Sequence, residues 1–272
     1  MPFGQDDLIA CLGLTEVGDG VLEGPNLDIG YHRVFGGQVL AQVVAGAAVA
    51  SPEKAVKSIH VLFPREGDTS KPMRYRVRKL QDGRTFGSTE VVAEQGDNRV
   101  ISAALVSMHS SEDGLHRSDG APAVGPPEEA TEVDLGMVPW ETRLVGAVDL
   151  ADRAASPPQL DWWMRAAPVA GDGSVHHSLL AHATDLTLIG TALRPFEGIS
   201  QADSTVTLHT AVTSHTVWFH QPFRVDGWLQ VSQRGPVVAG GRSYGRGDVF
   251  ADGELVASFA QEAMIRRITP AT

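Results

Sequence analysis

SIHVLF, at residues 58–63, decides the fold because it returns as SHTVWF at residues 214–219, an offset of 156. Two further matches follow in the same order: DGRTFG (82–87) with GGRSYG (240–245) at 158, and VISAALVSM (100–108) with VASFAQEAM (256–264) at 156. Each match is short, but three in one order describe a unit built twice. Between the copies, SSEDGLHRSDGAPAVGPPEEATEVDLG (110–136) is rich in Pro, Gly and acids and has no apolar period, so it reads as a linker wrapping one copy's surface. The chain divides into a first copy at 1–109, a linker at 110–140 and a second copy at 141–272.

Outward from these matches, each copy reads as one helix followed by strands. QVLAQVVAGAAVA (38–50) and SLLAHATDLTLIGTAL (178–193) are apolar nearly all round, which a helix tolerates only when buried on most sides. After them come short alternating runs such as MRYRVRKL, STEVVAEQ, WLQVSQ and LVASFAQEAMI, with turns such as QDGR and ADGE, the pattern of an antiparallel sheet. The expected fold class is α+β, with a central helix in each copy wrapped by a curved antiparallel sheet.

Composition narrows the function. A net charge of −11 over 272 residues, with no Lys/Arg run, excludes a surface built to track nucleic-acid phosphate. The single cysteine, Cys11, forms no internal disulfide, and no Cys/His spacing suggests a metal, which points to a reducing, cytoplasmic setting. The N-terminus is acidic where a signal peptide is basic, no apolar run reaches the ~18 residues needed to span a bilayer, and ITPAT at the C-terminus is no peroxisomal address.

Two copies of one unit share packing positions, so a polar residue found in only one of them needs its own reason. Gln261 shares a strand face with Leu255, Ala257, Phe259, Ala263 and Ile265, and the match places it opposite Leu105. A buried amide without partners costs about 1–3 kcal/mol, so a residue that only packed would be Leu; the plain alternative is a core Gln bonded to backbone. Asp185 is the only carboxylate in 178–193, with Ala181, His182, Leu188 and Ile189 as helical neighbours and Ala45 as its looser repeat partner. Desolvation there would raise its pKa, as in a general base; the alternative is an Asp capping a local bend or pairing with His182 or Arg194.

Other candidates are weaker. His176, His177 and His182 lack an accompanying acid or Cys ligand set and read as helix-start and surface residues. His60, His215 and His220 lie in strand-like segments, as core or rim histidines. RVFGGQ (33–38) sets two glycines before a helix, where bare amides can hold an oxyanion.

YHRVFGGQ (31–38), SIHVLFPREGD (58–68), LQDGRTF (80–86), HATDLTLI (182–189), HTVWFHQPF (215–223) and SFAQEAMIR (258–266) together resemble the type-II acyl-CoA thioesterases. The resemblance implies a double hot-dog fold, hydrolysis of acyl-CoA to free acid and CoA, no cofactor or metal, and homo-oligomers of dimers or larger. The family's catalytic Asp falls on Asp185 and its catalytic Gln on Gln261. Its third catalytic group, a Thr or Ser three positions before the His of the HTVWFH block, falls on Val212. Ser214 and Thr210 would share the strand face of Val212, and Thr213 would serve only if a bulge shifted the register; Ser214 ranks first. Val212 also motivates the alternative of an acyl-CoA-binding protein with little or no hydrolase activity. His182 with Asp185 keeps enoyl-CoA hydration as a second rival, and a scaffolding subunit ranks last.

Overall fold

The structure is a computed structural model describing residues 3–146, 148–204 and 206–268. Its strands in the first copy are β1 (Thr15–Gly18), β2 (Val21–Gly24), β3 (Ala55–Leu62), β4 (Met73–Asp82), β5 (Phe86–Gln95) and β6 (Arg99–His109). The second copy carries β7 (Thr131–Val133), β8 (Glu141–Leu144), β9 (Gln159–Arg165), β10 (Leu208–Phe219), β11 (Leu229–Ala239), β12 (Arg242–Ala251) and β13 (Glu254–Arg267). All pair antiparallel in one continuous sheet in the order β1-β2-β4-β5-β6-β3-β10-β13-β12-β11-β9-β8-β7. The order β2-β4-β5-β6-β3 is repeated in reverse by β10-β13-β12-β11-β9, so the copies join edge to edge at β3 and β10.

The apolar segments form the helices at the centre. Besides the short α1 (Gln5–Cys11), these are α2 (Gly36–Ala50), α3 (Gly173–Thr184) and α4 (Leu188–Leu193). In α2 every residue from Gly37 to Ala47 is buried, which explains its lack of a polar face, and α2 packs along α3. The double hot-dog expectation is met. No helix of the described residues is long and apolar enough to cross a membrane.

The second helix departs from expectation. SLLAHATDLTLIGTAL is not one helix: α3 begins earlier, capped by the Asp172 side chain on the Ser174 amide, and ends at Thr184, with Asp185 in the break before α4. At the break the Thr184 hydroxyl donates to the Ala181 carbonyl at 2.9 Å, and Gln261 Nε2 donates to the Asp185 carbonyl at 3.2 Å, so partners outside the helix ladder satisfy the freed groups. His176, His177 and His182 lie within α3 and are buried, not at the surface. The expected linker also differs at its end, where β7 pairs with β8 as an edge hairpin; earlier, the Ala121 amide bonds the Gly253 carbonyl and Gln230 bonds the Pro122 carbonyl, so this stretch lies on the second copy.

Strand register refines the repeat. His60 pairs directly with Thr216, its equivalent at offset 156, with Nδ1 3.3 Å from Oγ1, so a pseudo-twofold axis passes between them. Leu105 pairs with His60 and Ala260 with Thr216, which makes Leu105 the equivalent of Ala260 and Val106 the equivalent of Gln261. This corrects the ungapped match: Leu105 is 53 % exposed, whereas Val106 and Gln261 are both buried. The cause is a hairpin turn. Between Gln95 and Arg99 the first copy spends three residues, and between Ala251 and Glu254 the second spends two, Asp252 and Gly253, both at positive φ as a tight hairpin requires. By the same pairing Gly87 corresponds to Ser243, not to Gly245.

Candidate active site

Strand β13 bulges at Val256, so Leu255 falls out of phase and the buried row is Ala257, Phe259, Gln261, Ala263 and Ile265. On β10 the residue paired with Gln261 is His215, also buried. The end of α3 delivers Asp185 to the same point, and the start of α2, from the other copy, faces it. That approach needs glycine: a Cβ on Gly36 would lie 2.7 Å from Asp185 Oδ2, and one on Gly37 would lie 2.4 Å from the His182 carbonyl oxygen.

These groups make one buried hydrogen-bonded set. Gln261 Nε2 donates to Asp185 Oδ1 at 3.0 Å and lies 3.2 Å from His215 Nδ1. His215 Nε2 lies 3.0 Å from Thr184 Oγ1. Burial pushes the Asp185 carboxyl up from 3.8 to about 7, against the opposing pull of the Gly37 amide, the Gln261 amide and the Arg33 guanidinium. Burial likewise pushes His215 down to about 3, so its ring is neutral near pH 7. Arg33 is fixed in place by the Tyr31 hydroxyl, the Glu66 carboxylate and the Thr210 carbonyl.

Asp185 opens onto a cavity of about 470 Å³ whose apolar wall includes Val39, Phe63, Ile101, Met137, Ile189 and Met264. Met137 comes from the segment read as a linker. Gly36, Arg33, Val212 and Thr213 line the same space.

The hydroxyl is where sequence and structure part. Strand β10 bulges at Thr213, between the pairs Val212–Ala263 and Ser214–Glu262. The extra residue breaks the alternation on which Ser214 was ranked: Ser214 leaves the face of Thr210 and Val212 and is not among the residues lining the cavity, whereas Thr213 is. The Thr213 hydroxyl donates to the Glu262 carbonyl at 3.0 Å and keeps its lone pairs.

The remaining histidines lie elsewhere. His182 Nε2 is 2.7 Å from the Met137 carbonyl, His177 stacks on Phe219, and His176 Nδ1 accepts the Val225 amide; none lines the cavity. His215 reads from its strand as a core histidine, yet its equivalent in SIHVLF is Ile59, the same polar-in-one-copy signal that singles out Gln261 and Asp185.

Two fused helix-in-sheet repeats, with a buried carboxyl at the wall of an apolar cavity, define a double hot-dog protein. Residues 24–109 match the family described as acyl-CoA thioesterase N-terminal domain, and residues 117–265 the acyl-CoA thioesterase C-terminal domain. The chain belongs to the acyl-CoA thioesterase family. It is 30 % identical to acyl-CoA thioesterase 2 of Haemophilus influenzae over 283 residues, covering 96 % of this chain and 97 % of that protein. Among solved structures it resembles acyl-CoA thioesterase II TesB2 from Mycobacterium marinum, with a TM-score of 0.81, 29 % identity and coverage of 97 % of this chain and 100 % of that one. The tesB protein of Mycobacterium avium subs paratuberculosis gives a TM-score of 0.82 at 26 % identity, covering 96 % of this chain and 98 % of that one.

Proposed function

We propose that the chain hydrolyses acyl-CoA thioesters to free acid and CoA, with Asp185 as general base. The observation that carries the proposal is a buried carboxyl, pushed up to about 7, opening onto a cavity lined by apolar side chains. Asp185 takes a proton from a water whose oxygen attacks the thioester carbonyl carbon. The tetrahedral intermediate collapses with cleavage of the carbon–sulfur bond, and the proton on Asp185 passes to the departing sulfur.

Gln261 and Thr213 help hold the water. Gln261 commits its N–H groups to Asp185 and His215 and offers the amide oxygen, and Thr213 takes the role for which the sequence ranked Ser214. The Gly37 amide is engaged with Asp185, which leaves Gly36, on the cavity wall, to present an N–H to the oxyanion. A hydroxyl on the bulge favours hydrolysis over mere acyl-CoA binding despite Val212.

The test is thiol release from short to long acyl-CoAs by the wild-type chain and by Asp185→Asn. Release from at least one substrate that falls by about 10²–10⁴ in the variant supports the reading. No release from any substrate leaves acyl-CoA binding in its place.

A further inference from the structure

The Thr184 hydroxyl has one hydrogen, and it goes to the Ala181 carbonyl at 2.9 Å. At 3.0 Å from the same oxygen, His215 Nε2 must therefore be the donor. A neutral imidazole protonated at Nε2 has a bare lone pair at Nδ1, and this faces Gln261 Nε2 at 3.2 Å. The other N–H of Gln261 points at Asp185, shared between Oδ1 at 3.0 Å and the backbone carbonyl at 3.2 Å. If the Gln261 amide turned over, its oxygen would face a carboxylate oxygen on one side and a nitrogen lone pair on the other, two repulsions in a buried site.

The first copy supplies an independent observation. There the equivalents of His215 and Gln261 are Ile59 and Val106, which pair across β3 and β6 and are both buried. The fold is content with an apolar pair at this point. The imidazole and the amide occur together only in the copy that carries Asp185, and His215 does not line the cavity.

We propose that His215 is a positioning residue: through the proton order set by Thr184 it locks the Gln261 amide with its nitrogen toward Asp185 and its oxygen free for the water. The inference rests on the role given to Gln261 above. It differs from a packing role because His215 acts only through Gln261, so removing Gln261 first makes His215 dispensable for turnover.

The experiment is a double-mutant cycle in the full chain, reading kcat and KM from thiol release with His215→Ile, Gln261→Val and the two combined. The combined variant reproduces the Ile59–Val106 pair of the first copy, which guards against failure to fold. His215→Ile alone is expected to lower kcat by roughly 10–100-fold with KM within about threefold, and to add less than about threefold in the Gln261→Val background. His215→Asn, with an oxygen acceptor near the place of Nδ1, should recover part of the loss.

The pH profile adds a readout that packing would not move. In His215→Ile the kcat midpoint should rise, because Asp185 loses the Gln261 N–H while the Arg33 charge and the Gly37 amide that also face it remain. Unchanged kcat in His215→Ile, or losses that multiply in the combined variant, overturns the positioning role and leaves Asp185 and Gln261 as assigned. Full kcat in Gln261→Val alone overturns the assignment of Gln261 and this inference with it.

Discussion

Lys57 and Thr213 occupy the same place in the two copies: each is the extra residue of a bulge, in β3 against Met108 and Ser107, and in β10 against Ala263 and Glu262. The bulge belongs to the repeated fold, and in the second copy it carries a hydroxyl that lines the cavity. Thr213→Val should lower kcat by roughly tenfold, while Ser214→Ala should leave it within about twofold because Ser214 lies off the cavity. Thiol-release kinetics on both variants checks this, and the reverse ranking would restore Ser214.

The burial of Asp185 should cost stability above its raised pKa. Its carboxyl is raised from 3.8 to about 7 in the fold, so between those values the folded chain keeps a proton that the unfolded chain has lost. Stability contributed by the neutral acid is fully present below about pH 4 and is lost as pH rises through about 7. Asp185→Asn should therefore stabilise the chain by about 1–3 kcal/mol near pH 8 and by almost nothing near pH 4, as read by urea unfolding.

The same ionisation should shape turnover. A base must be deprotonated, so kcat should rise about tenfold per pH unit on the acid side and level off above about 7. Removing the nearby positive charge with Arg33→Gln should move the midpoint upward, since Arg33 is among the groups that hold the pKa down. A pH-independent kcat between about pH 5 and pH 9 would refute Asp185 as base.

The two glycines before α2 should fail differently. A methyl on Gly36 meets the Asp185 carboxylate, a side chain that can move, so Gly36→Ala should lower kcat by roughly tenfold or more with little loss of stability. A methyl on Gly37 meets the His182 backbone oxygen and the Phe35 ring, so Gly37→Ala should cost about 1–3 kcal/mol of unfolding free energy.

Much of this protein was legible in its residues. SIHVLF and SHTVWF revealed the duplication, nearly all-apolar segments revealed buried helices, and Asp185 and Gln261 stood out because a buried polar group needs a partner to be tolerated. The comparison failed where chain length changed locally: a turn of three residues in one copy and two in the other moved Gln261 from Leu105 to Val106. It failed for His215 because histidine in a strand has many plain uses.

By itself the sequence determined the repeat, the class of fold and the two groups whose burial demands a purpose, since these follow from apolar period and the cost of desolvation. Only the tertiary structure decided that α3 breaks at Asp185, that a bulge turns Thr213 and not Ser214 toward the cavity, and that the first copy's Gly36 and Gly37 complete the second copy's site. Each depends on backbone register and close approach between segments far apart in the chain, which residue order does not encode locally.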